Sequence, residues 1–225
     1  MYNTPLILPF FIIQIIVLYL LSRQVVRDFF LLLHTLFKNQ SFAYGIIALV
    51  FFPGTVLHEL SHFFIATILF LRVDSIHVLP EWEKNQLKLG RVTYEKKDIL
   101  RSIMVGIAPF FGACFFFWFI GAFKLFPHAN FILTCFIGYL IFAVSANMFS
   151  SAQDLVDLGY LIPIILIVAG LYYLSGVQIL VHIPPFIWES SINILQLVNF
   201  YITIAIAIHF CLFILFRSLR LISTK

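Results

Sequence analysis

His58, Glu59 and His62 stand in the pattern H-E-x-x-H within FFPGTVLHELSHFFIATILFL, residues 51–71, a run that is otherwise almost wholly apolar. The run predicts a helix, and in a helix His58 and His62 lie one turn apart on the same face, rooted about 6 Å apart. Two imidazoles at that spacing can hold one metal ion. Glu59, rotated about 100° from His58, then stands beside the ion, where it can take a proton from an activated water. With seven His in the chain, the pattern arises by chance roughly once in two hundred such sequences. A charge at membrane depth costs at least about 2.5 kcal/mol. A scaffold has no use for Glu59 there, whereas metal-assisted hydrolysis does.

Two histidines leave a catalytic zinc short of one protein ligand. Asp154 and Asp157 lie in ANMFSSAQDLVDLG, just beyond an apolar run and without Lys or Arg nearby to pair with. Asp157 directly precedes Leu158-Gly159 and the next apolar segment, the position of a helix cap. Asp154 falls in the less regular stretch after Ser150 and is the favoured ligand, with Asp157 the alternative. Glu189, beside Trp188 and Pro184-Pro185, is a weaker candidate at an interface. His34, His77, His128, His182 and His209 have no partner at ligand spacing and read as surface or packed residues. The ligand types suit Zn²⁺, although other divalent ions also fit two His and one Asp.

The elements that must position these groups are membrane helices. The chain is 62% hydrophobic and 11% charged, with a mean hydropathy of +1.05, more apolar surface than a soluble core of 225 residues can use. The net charge of +4 sits beside apolar runs, where lipid headgroups explain it better than nucleic acid. Cys114, Cys135 and Cys211 lie singly in apolar runs and form no disulfide framework. The fold expected is an all-α polytopic membrane protein of about six transmembrane helices, with a small β-hairpin-like insert at the membrane surface.

The predicted spans are 5–22, 43–71, 102–123, 131–149, 159–181 and 195–216. Residues 23–40, which mix Arg23, Arg27, Asp28 and Lys38 with a short apolar block, read as a separate interfacial helix. Pro53-Gly54 predicts a kink or break, with Thr55 capping the helix that carries the motif. HIPPFIWESS before the last span reads as an interfacial loop. Residues 72–101 hold seven of the fourteen Lys and Arg, and alternate well enough at Ser75–Leu79 and Leu87–Tyr94 for two short strands around a turn at Pro80–Asn85. No repeat or linker divides residues 1–225, so the chain is one domain. Four spans separate the basic 72–101 insert from the basic C-terminal tail, which puts both on the cytoplasmic side. Arg23 and Arg27 then fall outside, or their segment is re-entrant.

His58-Glu59-Leu60-Ser61-His62 in a membrane helix, a strand-like surface insert, and a later span ending in Asn147…Asp154 together resemble the site-2 protease (M50) family of intramembrane metalloproteases. The likeness covers about residues 43–158. In that family a downstream N-x-x-P-x-x-x-x-D-G segment supplies the third zinc ligand and a polar Asn near the substrate. The resemblance thus implies Asp154 as ligand and Asn147 as substrate-binding residue. Ser150 stands where Pro is usual, Leu155 where Gly is usual, and Gly106-Ile107-Ala108-Pro109 is only loosely like the family's G-P-x-x-N. The implied protein is a minimal or divergent member without PDZ or CBS domains, hydrolysing peptide bonds of membrane-embedded protein substrates. Two rivals stand beside it. One is a membrane zinc peptidase that takes a Glu, Glu189, as third ligand. The other is a non-catalytic membrane scaffold with a vestigial site.

Overall fold

The computed structural model of the chain describes residues 6–78, 81–83, 86–88, 90–95, 98–149, 163, 166–168, 170–174 and 184–223. Helix α1 runs Ile7–Phe37 and α2 Gln40–Ile68. Four short strands follow: β1 Val73–His77, β2 Glu81–Glu83, β3 Gln86–Lys88 and β4 Arg91–Tyr94. Then come α3 Ile99–Gly106, α4 Ala108–Ala122, α5 Phe131–Asn147 and α6 Pro185–Ser223. Four segments are long and apolar enough to cross a bilayer: Ile7–Phe37, Gln40–Ile68, Ile99–Ala122 and Pro185–Ile222. Helix α5 is a shorter apolar helix of 17 residues. The chain is therefore a mostly helical membrane protein with a small antiparallel β insert. Of the expected 159–181 span, residues 163, 166–168 and 170–174 are helical, and the rest lies outside the described residues.

The packing of α1 is that of a helix in lipid, with polar groups inside and apolar ones outside. Gln14, Leu18, Ser22, Val25, Asp28 and Leu32 recur every three or four residues and are buried, whereas Leu8, Ile12, Ile16 and Leu20 are exposed. Polar side chains hold helices together where water is absent. Gln14 Nε2 donates to Asn199 O at 3.0 Å and to Thr203 Oγ1 at 2.6 Å on α6. Asp28, 1% exposed, accepts from Arg220 Nη1 at 3.0 Å. Phe29 stacks on Phe216 with centroids 4.8 Å apart. From Gln14 to Asp28 and Phe29 the partners on α6 move from Asn199 and Thr203 to Arg220 and Phe216, so α1 and α6 lie side by side in the same direction.

This register corrects the expectation of a separate interfacial helix over residues 23–40: residues 23–37 continue α1, and 38–40 form the turn into α2. Neither Pro nor Gly interrupts the stretch, and its one acid is neutralised inside the bundle. The break expected at Pro53 is also absent, since α2 is continuous through it. Proline removes the N–H that Leu49 O would accept, and side chains bond the two carbonyls that follow it. Tyr139 Oη donates to Val50 O at 2.9 Å, and Asn147 Nδ2 and Thr55 Oγ1 donate to Phe51 O at 3.3 and 3.2 Å. Thr55 thus bonds back to the preceding turn and caps nothing. HIPPFIWESS is helical from Pro185 onward, a proline at a helix start losing no needed N–H.

The insert forms two two-stranded antiparallel ladders, β1–β4 and β2–β3. Val73 pairs with Tyr94, and Ile76 with Val92. The expected second strand is divided into β3 and β4, and β2 falls within the expected turn.

Lys38, with φ 52°, ends α1, and the Asn39 side chain accepts the Phe42 N–H at 3.1 Å to start α2. This tight reversal makes α1 and α2 an antiparallel pair, as Phe30 over Tyr44 and Phe37 against Phe42 confirm. Helix α2 therefore ends, and the insert begins, at the opposite end of α1 from the end of α6. The insert and the C-terminal end do not share one end of this helix group, contrary to the expectation from charge. Cysteines introduced at Asn85 and Ser223, in a background lacking Cys114, Cys135 and Cys211, should react with an impermeant thiol reagent from opposite sides of sealed vesicles. Labelling of both from one side would refute this arrangement.

Candidate metal centre

Helix α2 carries the motif between two neighbours. Gly54 lets α5 approach closely, since a Cβ there would collide with Ala143 O and the Asn147 amide. This contact places the last turn of α5 beside His58. Helix α3 ends beside His62 on another side.

The two histidines are oriented by those helix ends. His58 Nδ1 lies 2.8 Å from Asn147 O, and His62 Nδ1 lies 2.8 Å from Val105 O. A carbonyl only accepts, so Nδ1 carries the proton in both rings and Nε2 bears the lone pair. The two Nε2 atoms are 3.2 Å apart, with the ring planes at 82°. Tetrahedral zinc with Zn–N bonds near 2.0–2.1 Å needs an N···N separation of about 3.3 Å. The observed separation is thus close to the one that two ligands of one ion need. An imidazole whose other N–H bonds a backbone carbonyl is the usual arrangement around such a metal.

Both carbonyls come from the C-terminal turns of helices, where acceptors lack intrahelical donors and the helix dipole is negative. The release of Val105 O has a specific origin. In a continuous helix it would accept the N–H of the residue four positions on, which is Pro109 and has none. The helix divides there into α3 and α4, and the freed acceptor takes the His62 N–H. Nothing in the sequence linked Pro109 to His62.

His58 and Glu59 are buried at 5% and 7% exposure, and His62 is half-buried. Glu59 meets the insert: a Cβ on Gly90, just before β4, would come within 2.6 Å of Glu59 Cγ and 2.7 Å of Oε1. Only glycine lets this backbone lie against the carboxylate. Neither Gly90 nor Val105 was a candidate from sequence.

Asn147 is buried and joins the site through its backbone. Its Nδ2 donates to Ala143 O at 2.8 Å and to Phe51 O at 3.3 Å. The substrate contact that the resemblance implies would fall to Oδ1, whose one contact among the described residues is Thr55 Oγ1 at 3.5 Å. Asp154 and Asp157 lie outside the described residues. Among the described residues, no group of three His, Cys, Asp or Glu side chains comes together, and Glu189 is exposed near the start of α6. His209 is fully buried at 3.0 Å from Ser145 Oγ, a packed histidine as expected.

Pro109→Ala restores an N–H that competes for Val105 O and frees the His62 ring to turn. Zinc retained by the purified protein should fall by roughly 10–100-fold in affinity, the usual cost of losing an orienting partner, with helix content unchanged. Unaltered zinc affinity would show that Val105 O does not orient His62.

Comparison with family models, with curated proteins and with solved structures returns no match.

Proposed function

We propose that this chain is a zinc-dependent metalloprotease that hydrolyses peptide bonds of membrane-embedded protein substrates. The observation that carries the proposal is the convergence of His58 and His62 Nε2 at 3.2 Å, with both Nδ1 protons committed to helix-end carbonyls. Zn²⁺ would be held by His58, His62 and Asp154, and would supply Lewis acidity that polarises the scissile carbonyl and acidifies water. Glu59, next to His58 and buried, accepts the proton of the attacking water and passes it to the leaving amine. The apolar wall of the bundle keeps bulk water from the reacting groups.

A helical substrate must be extended before its backbone is open to attack. Among the described residues β4 pairs with β1 alone, and Gly90 at its start lies against Glu59. An unwound substrate segment adding along β4 would present its carbonyls beside the proposed base. We further propose that the basic 72–101 insert faces the cytoplasm, which puts the end of α6 on the other face.

Glu59→Gln keeps the size of the side chain but cannot accept a proton. It should retain wild-type zinc stoichiometry and lose about 10²–10⁴-fold in cleavage rate of a transmembrane substrate reporter. Residual cleavage near the wild-type rate would remove Glu59 from the role of base.

Asp154→Ala should lose most bound zinc and all activity, since a ligand is gone. Asp157→Ala should keep both and lose only about 1 kcal/mol of stability, the cost of a helix cap. Metal analysis of the two purified variants decides between them, and the reverse pattern would move the ligand to Asp157.

A further inference from the structure

A second site lies on the other side of Asn147. The latter half of α1, the first half of α2 and the end of α5 enclose a cavity of about 350 Å³. Arg23, Arg27 and Tyr44 supply polar lining, Phe30 and Phe51 supply apolar wall, and Asn147 closes one side. Both arginines are exposed. Among the described residues neither pairs with a carboxylate. Arg27 Nη2 donates to Gln24 Oε1 at 2.8 Å, and the Arg23 guanidinium lies 5.5 Å from the Tyr19 ring centre. Asp28, the one acid of α1, is held by Arg220. The cavity thus carries two positive charges over an apolar wall.

The register of α6 against α1 sets which further basic residues lie at the level of this cavity. The Asp28–Arg220 pair and the Phe29–Phe216 stack bring Arg217 and Arg220 alongside Arg23 and Arg27. Four guanidinium groups from two parallel helices form a basic belt, the arrangement expected at the level of lipid phosphates. Arginine's planar fork suits phosphate oxygens, and its stem tolerates acyl chains.

We infer that the cavity binds an anionic phospholipid, its phosphate between Arg23 and Arg27 and an acyl chain along Phe30 and Phe51. A small inorganic anion would leave the apolar wall unused, and a zwitterionic lipid would leave the charge of the pair uncompensated. The inference does not rest on the hydrolase reading. It adds a link to the metal centre, because the residue lining the cavity is the one whose carbonyl orients His58.

The full chain is placed in mixed bilayers of phosphatidylcholine and phosphatidylglycerol, extracted gently, and its retained lipid counted by native mass spectrometry. Wild type should retain phosphatidylglycerol in preference to phosphatidylcholine. Attraction between a basic side chain and anionic lipid is worth roughly fivefold in affinity per arginine, so Arg23→Gln with Arg27→Gln should lower retention about 25-fold. Arg23→Lys with Arg27→Lys should keep most of it. Arg217→Gln, a belt residue outside the cavity over Phe213, should match wild type. Equal retention of the two lipids by wild type would overturn the site, and that comparison stands even where the glutamine pair does not fold. So would equal loss in Arg217→Gln, unchanged retention in the folded glutamine pair, or displacement of the lipid by inorganic phosphate alone.

Discussion

The hydrogen bonds from His58 to Asn147 O and from His62 to Val105 O are the constraint around which the rest of the protein is arranged. An imidazole on a helix can rotate about two bonds, and two of them one turn apart have many relative poses. Each N–H···O=C bond removes that freedom and fixes the tautomer together with the ring direction. For both bonds to form, two other helices must end within reach of α2, at heights one turn apart. Gly54 brings α5 to one of those places, and Pro109 stops α3 at the other. Helix breaks that would be defects in a lipid-exposed segment here become the acceptors that orient the site.

The same economy governs the membrane-facing architecture. Gln14 with Asn199 and Thr203, Asp28 with Arg220, and Ser145 with His209 tie α6 to α1 and α5 through polar groups. In a medium where apolar side chains gain little from meeting one another, such pairs decide which helices are neighbours and in what register. They are few, and one of them spans nearly the whole chain.

Much of this was legible beforehand for a definable reason. Helical spacing alone put His58 and His62 on one face, and hydropathy alone announced long membrane helices. Alternation found β1, β3 and β4 as two strands, but missed β2 and the division of β3 from β4 at Gly90. What escaped the sequence were choices made by tertiary partners. Residues 23–40 looked like a separate interfacial helix because four charges there flank a short apolar block, and only α6 shows that Arg220 meets Asp28 inside the bundle. Pro53 looked like a kink or break because its local cost is visible, whereas the α5 side chains that bond the preceding turn of α2 lie about ninety residues away. The sidedness of the insert and the tail was argued from charge, and the direction of α6 beside α1 is not written in charge. Asn147 was singled out for its side chain, and its carbonyl is what touches His58. Carbonyls are invisible to sequence patterns, since every residue has one.

The pairing of the first helix with the last also sets an order of assembly. Asp28 leaves the ribosome 192 residues ahead of Arg220. At ordinary rates of synthesis that is a delay of about 10–40 s. Throughout that interval a carboxylate destined for a dry interior has no guanidinium to meet, so α1 must wait near the water boundary or carry the acid protonated. The helix hairpin that bears the histidines can form early, but the wall formed by α1 and α6 closes last. Synthesis of Pro185–Ser223 is thus the event that gives Gln14 and Asp28 their partners, and a nascent chain stopped short of it would hold both groups without them.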